Sequence, residues 1–197
     1  MKPLVVLAVM IGTALLITLL GCSSDSAVNQ GDRENPSAST TVKSQDPDKR
    51  ITIRLPAGWE EETEPWREYM IERAGVSMQE HAVFFAGKPR PSVGLDAYDP
   101  NLSILGGMTL YGKLDIMVDS YISVPVANGA VLESRTPIQV SGLTGEKLKL
   151  VEPNLQTTQI YLIREEELWL LQCSATIATD AEISDCVDAL LSTEIHK

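Results

Sequence analysis

ITIRLPAGWE, residues 51–60, carries two local signals side by side. Ile51, Ile53 and Leu55 alternate with Thr52 and Arg54, the period-two pattern of a strand with one face buried. Pro56-Ala57-Gly58 then ends the strand in a turn, since proline presets φ and glycine tolerates the reversal. The turn swings Trp59 back against the sheet. A folded domain therefore opens at about residue 50 and runs to residue 197.

Downstream, EYMIER (residues 68–73) and HAVFFA (81–86) read as strands, and VGLDAY (93–98) as a weaker one. Leu110, Leu114, Met117, Val118, Tyr121 and Ile122 then recur at helical spacing, with Lys113, Asp115 and Asp119 on the other side. Pro125 and Asn128-Gly129 are expected to stop that helix. Four strands follow. Leu132, Thr136, Ile138 and Val140 share a face in the first, and Leu148 and Leu150 point inward in the second. The third and fourth, around TQIYLIR and LWLLQCSA, are apolar at nearly every position, as strands covered on both faces are. Glu165-Glu166 mark the hairpin tip between them. Thr179 and Glu182 form a capping box, and Ile183, Cys186, Val187, Leu190 and Leu191 give the last helix its apolar stripe. The expected fold class is α/β: an antiparallel β-sheet flanked by helices.

The ITIRLPAGWE pattern resembles the opening of PsbP-like domains, including the DcrB-like bacterial lipoproteins: an alternating strand, then Leu-Pro-x-Gly-Trp. A central helix, a strand meander with a glycine-bearing turn (here Ser141-Gly142-Leu143-Thr144-Gly145) and a C-terminal helix follow the same order. The resemblance covers about residues 50–195 and implies a sheet with helices packed on its faces. It brings no catalytic residue. Relatives include a photosystem extrinsic subunit and a nuclear-import factor, which bind partner proteins, so fold alone says little of activity. Segment 60–91, with Pro65, Trp66, Pro89 and Pro91, departs from the pattern.

Working back from the domain, residues 23–48 hold almost no large apolar side chain and are expected to be a disordered tether reaching roughly 25–30 Å. The chain thus divides into a signal peptide (residues 1–21), a linker (22–49) and the domain. Leu4 to Leu20 is a 17-residue apolar run, at the short end of what spans a bilayer, where about 20 residues are needed. It ends in Leu19-Leu20-Gly21-Cys22, which resembles the lipobox of bacterial lipoproteins. That resemblance implies cleavage after Gly21 and a diacylglycerol on the Cys22 thiol, which anchors the protein to the membrane from its extracytoplasmic face rather than spanning it.

Losing residues 1–21 leaves 15 basic against 27 acidic side chains, net −12. Such acidity, without a Lys/Arg cluster, excludes nucleic acid as a partner. Only His81 and His196 are present. Neither a His-Glu-x-x-His, a Gly-x-Ser-x-Gly nor a phosphate loop occurs, so the expected protein is not an enzyme and needs no cofactor or metal. Asp96, Asp99 and Asn101 read as turn chemistry rather than a calcium loop, whose glycine and distal glutamate are missing. The runs Glu60-Glu61-Glu62 and Glu165-Glu166-Glu167 read as solvated loops. Cys173 is expected on the last strand, on the same face as Trp169 and Leu171, and Cys186 on the apolar stripe of the last helix, so they meet only if that helix packs on that face. Two readings stand for them: a disulfide, if their Cα atoms come within about 7 Å, or two buried free thiols. Trp66, beside Pro65, is a candidate exposed anchor for a partner. The reading is a membrane-anchored lipoprotein whose domain binds or assembles another envelope protein; the alternative is a small-ligand-binding lipoprotein beside a transporter.

Overall fold

A computed structural model describes residues 42–46, 48–74, 76–91, 94–176 and 180–196. The readings of Gly21, Cys22 and most of the tether fall outside them, as does Thr179 of the capping box. In the strand at 51–55, called β2, Ile51, Ile53 and Leu55 are buried, as the alternation requires. Thr52, read as outward, is buried too, because its Oγ1 shares a 2.7 Å hydrogen bond with His196 Nε2.

β2 is the middle of a three-stranded antiparallel sheet, between β1 (Val42–Gln45) and β10 (Glu194–Ile195). β1 corrects the expectation that the tether runs through residue 48. Its four residues are polar or exposed, so nothing in their side chains marks a strand; the backbone ladder to β2 holds them. The turn that follows is built by Asp46, whose Oδ1 accepts the Ile51 N–H at 2.7 Å and whose carbonyl accepts the Lys49 N–H at 2.9 Å.

A seven-stranded antiparallel sheet forms the centre. Its strands are β3 (Glu60–Glu61), β4 (Ala82–Pro89), β5 (Tyr98–Thr109), β6 (Val131–Val140), β7 (Leu143–Glu152), β8 (Leu155–Arg164) and β9 (Glu167–Ala175), in the order β3-β4-β5-β9-β8-β7-β6. Helices α1 (Thr63–Ala74) and α2 (Leu114–Ala127) cover the face that carries Phe85 and Tyr161. Helix α3 (Asp180–Leu191) and the small sheet cover the other. There Ile51, Ile53, Phe84, Leu102, Ile160 and Leu171 make the core with Cys186 and Leu190. β8 and β9 lie between both layers, which explains their unbroken apolar runs.

Three local expectations change. EYMIER is the second half of α1, not a strand: Trp66 and Met70, four apart, are the buried pair, a helical spacing. Pro65 sits in the first turn, where its missing N–H costs nothing, and Glu62 O accepts the Trp66 N–H at 3.1 Å. VGLDAY gives way to a 3-10 turn at Gly94–Ala97, and the strand begins at Tyr98 and continues for 12 residues through Pro100 and Gly106-Gly107. In β6 a bulge between Leu132 and Ser134 shifts the register. Leu132 therefore pairs with Leu150 under α2, while Thr136, Ile138 and Val140 lie on the opposite face. β6 is also the sheet's outer edge, and it contains Pro137.

The turn between β6 and β7 is two residues, Ser141 (φ 53°) and Gly142 (φ 77°), the positive-φ pair of a type I′ hairpin. Gly145 lies beyond it, inside β7. Pro125 does not stop α2, which runs to Ala127 before Asn128 caps it.

Tyr98 ties the start of β5 to the entry of α1, its hydroxyl donating to Glu62 Oε1 at 2.8 Å. That bond first, then burial and the charges of Glu62 and Glu60, push its pKa up to about 12. A phenol whose folded pKa exceeds its unfolded value, about 10, contributes stability below pH 10 that is lost as pH rises through 12. Alkaline titration followed through the ring resonances of Tyr98 is expected to show a late midpoint that Glu62→Gln moves back toward 10. A Tyr98 midpoint unmoved by that change would exclude Glu62 as the cause.

Candidate functional site

α2 is apolar over most of its circumference, yet it buries only Val118 and Ile122 fully. Ile116 is 61% exposed, and Tyr121 and Val126 are also open, as are Tyr111 just before the helix and Val131 just after it. The stripe read from the sequence thus faces the sheet with a narrow edge and leaves apolar surface outside. The helix is nevertheless pinned. Arg135 of β6 donates from Nη1 to Asp119 Oδ1 at 2.5 Å and from Nε to Glu146 Oε2 at 2.6 Å. The bonds to Glu146 and then Asp119 raise the guanidinium pKa further. Tyr121 lies against Tyr161, ring centroids 6.0 Å apart, and burial raises the pKa of both phenols. A rigidly held helix presenting apolar side chains to water is a surface suited to a partner.

The second feature is a cleft of about 370 Å³ where the end of β8, the start of β9 and the residue before β2 meet. Its floor is a bulge in β5 at Gly106-Gly107. Gly106 is required there, since a Cβ would sit 2.4 Å from the ring of Trp169, which lies across the strand. Gly107 has φ +68°. Both histidines converge on this cleft. His81 Nδ1 donates to Gly106 O at 3.1 Å, and His196 is fastened by its N–H to Arg50 O at 2.7 Å and by its carbonyl to Arg164. Glu80, Glu165 and Glu167 complete the lining. A neighbouring cleft of about 510 Å³ holds Arg50 and Arg67, both already bound to Asp48 at 3.0 and 2.8 Å.

The remaining sequence candidates find structural places. Trp66 is not an exposed anchor: it is 6% exposed and stacks on Phe85 at 5.7 Å, because the helix around it turns the indole inward. Glu60-Glu61 are a short strand rather than a loop, whereas Glu165-Glu166 do form the β8–β9 turn. Asp99 accepts hydrogen bonds from the Thr176 N–H and hydroxyl and pairs with Arg90 Nη1 at 3.1 Å, so its carboxylate is saturated. The Asp96 side chain lies outside the described residues, and Asn101 donates to Tyr98 O. Cys173 of β9 and Cys186 of α3 stand in disulfide geometry with Cα atoms 6.0 Å apart. Among the described residues no cluster of three metal-binding side chains occurs, and no helix is long and apolar enough to cross a membrane. Sequence reading missed the cleft, whose residues come one or two at a time from distant segments. It also missed the outward side of α2, for which the apolar run VPVA was a signal.

No family model matches the sequence, and no curated protein matches it. Solved structures do. The cyanobacterial PsbP (CyanoP) of Synechocystis sp. PCC 6803 is similar over 84% of this chain and 98% of its own, with 13% identity and a TM-score of 0.53. The Ran-binding protein Mog1p of Saccharomyces cerevisiae is similar over 80% of this chain and 96% of its own, with 8% identity and a TM-score of 0.52. At such identities what is shared is architecture: the chain has a PsbP-like fold, an antiparallel sheet with helices on its faces.

Proposed function

We propose that this protein is a non-enzymatic module, held at the extracytoplasmic face of the cell membrane by lipid on Cys22, that binds another envelope protein through the outer face of α2. The observation that carries the reading is the set of exposed apolar side chains Ile116, Tyr121 and Val126 on a pinned helix, with Tyr111 just ahead of it. An acidic, otherwise polar domain gains nothing from keeping these side chains in water, and covering them yields about 25 cal/mol per Å². Mog1p, described as Ran-binding, is a precedent for this fold binding a protein. The Leu19-Leu20-Gly21-Cys22 sequence supports the anchor.

Two measurements test it. Cys22→Ser is expected to move the protein from the membrane to the soluble fraction, and a variant that stays membrane-bound would refute lipidation as the anchor. A photo-crosslinker at position 116 is expected to give a discrete protein adduct in intact cells, lost at least tenfold on Tyr111→Ser. A crosslinker at exposed position 54 should give none. Both side chains are largely in water, so Tyr111→Ser should change stability by no more than about 0.5 kcal/mol. Equal adducts at 116 and 54 would remove α2 as the contact.

A further inference from the structure

Arg164 differs from the other arginines whose side chains are described in the domain. Arg50, Arg67, Arg90 and Arg135 each hold a carboxylate at 3.1 Å or less, and Arg54 is exposed to solvent. Arg164 is half-buried, yet among the described residues it has no carboxylate partner, although Glu165 and Glu167 are its neighbours in sequence. Its one bond runs from Nη1 to His196 O, at 2.5 Å. Among the described residues nothing takes the Nε–Nη2 edge, which presents two parallel N–H groups matching the two oxygens of a carboxylate.

Arg164 lines the 370 Å³ cleft, a volume in the range of small-molecule sites. Three carboxylates line it as well. Glu165, at the hairpin tip, has no partner among the described residues; Glu167 gives one oxygen to Trp169 Nε1 at 3.3 Å; Glu80 lies 3.7 Å from His81 Nε2. Arg50, the other cation of the cleft, is already neutralised by Asp46 and Asp48. A simple anion would therefore meet more negative than positive charge, and a simple cation would meet the unpaired guanidinium. A molecule carrying both charges satisfies both.

We infer that the cleft binds a small zwitterion of the α-amino-acid class, with its carboxylate on the Nε–Nη2 edge of Arg164 and its ammonium among the carboxylates of Glu165 and Glu167. Gly107 leaves room beside it, since a Cβ there would meet nothing within 4 Å. The site is separate from the α2 surface and does not rest on it.

The test is a titration of the purified, isotope-labelled protein with each of the twenty standard amino acids, following the Arg164 Nε–Hε resonance. Acetate and methylammonium serve as single-charge probes. At least one amino acid is expected to shift that resonance saturably, with both single-charge probes at least tenfold weaker. Glu165→Gln sits in an exposed turn and should leave the unfolding midpoint unchanged while weakening binding about tenfold. Arg164→Lys keeps the charge but removes the forked edge; followed through the Gly107 backbone amide in the same cleft, it should weaken binding by as much. If no amino acid shifts the resonance, the site does not exist. If acetate binds as tightly as the amino acid, or Glu165→Gln/Glu167→Gln changes nothing, the zwitterion assignment is wrong.

Discussion

Gly145→Ala is expected to leave little folded protein. A Cβ at this position would lie 1.9 Å from the carbonyl oxygen of Tyr161 and 2.9 Å from its carbonyl carbon. Those atoms are backbone of β8, which is hydrogen-bonded along its length to β7 on one side and β9 on the other. A side chain can swing away from an added methyl; a central strand cannot, without breaking ladders on both edges. Overpacking a core ordinarily costs about 1–3 kcal/mol. Here the displaced group is main chain in the middle of the sheet, so a loss of at least about 4 kcal/mol is expected, in the class of exceptional substitutions. Urea unfolding of the variant measures it. Gly58→Ala is the control: its Cβ meets nothing within 4 Å, but its φ is +78°. It should cost only the left-handed penalty of about 1–2 kcal/mol. If both variants lost the same small amount, the close approach of β7 to β8 at Gly145 would be wrong.

Breaking the Cys173–Cys186 link is expected to have the next largest effect. The cysteines are 13 residues apart in sequence, and closing a loop of about that size removes about 3 kcal/mol of unfolded-chain freedom. The bridge also fastens α3 to β9 at two fully buried positions in the main core. Reduction, or Cys186→Ala, should therefore lower the unfolding midpoint by roughly 6–12 °C, at about 2–4 °C per kcal/mol for a domain of this size. An oxidising compartment outside the cytoplasm is the setting in which such a bond persists. Protein isolated without reductant from its proposed place in the envelope should show no titratable Cys173 or Cys186 thiol in denaturant until a reductant is added. Two free thiols in that sample would establish the reduced pair instead.

How much was legible follows from where the stabilising contacts lie. β2 and β7 to β9 are held by side chains, so their apolar periodicity is written in the chain, and α3 shows its stripe for the same reason. β1 is held by main-chain hydrogen bonds, and Val42-Lys43-Ser44-Gln45 therefore looks like more of the tether. β5 contains Pro100, Gly106 and Gly107, each a strand breaker locally, but β4 and β9 pair with it on both edges and override them. In α1, Tyr69 and Ile71 suggested a strand, while the deciding pair was Trp66 and Met70. The candidate surfaces were harder still. Helical spacing says which residues share a side, not how wide a contact the sheet offers, and α2 buries only Val118 and Ile122 fully. The cleft joins a histidine ahead of β4 to one beyond β10, a proximity that only the finished sheet creates.

The outer edge strand β6 bears on how such molecules live together. Proteins tied to a membrane are concentrated in two dimensions, where a ten-residue bare strand would recruit its copies into a ribbon. Pro137 offers no amide hydrogen for such growth, and the bulge after Leu132 bends the rim out of line. With the proposed lipid on Cys22, copies of the domain could therefore crowd a bilayer without pairing through β6.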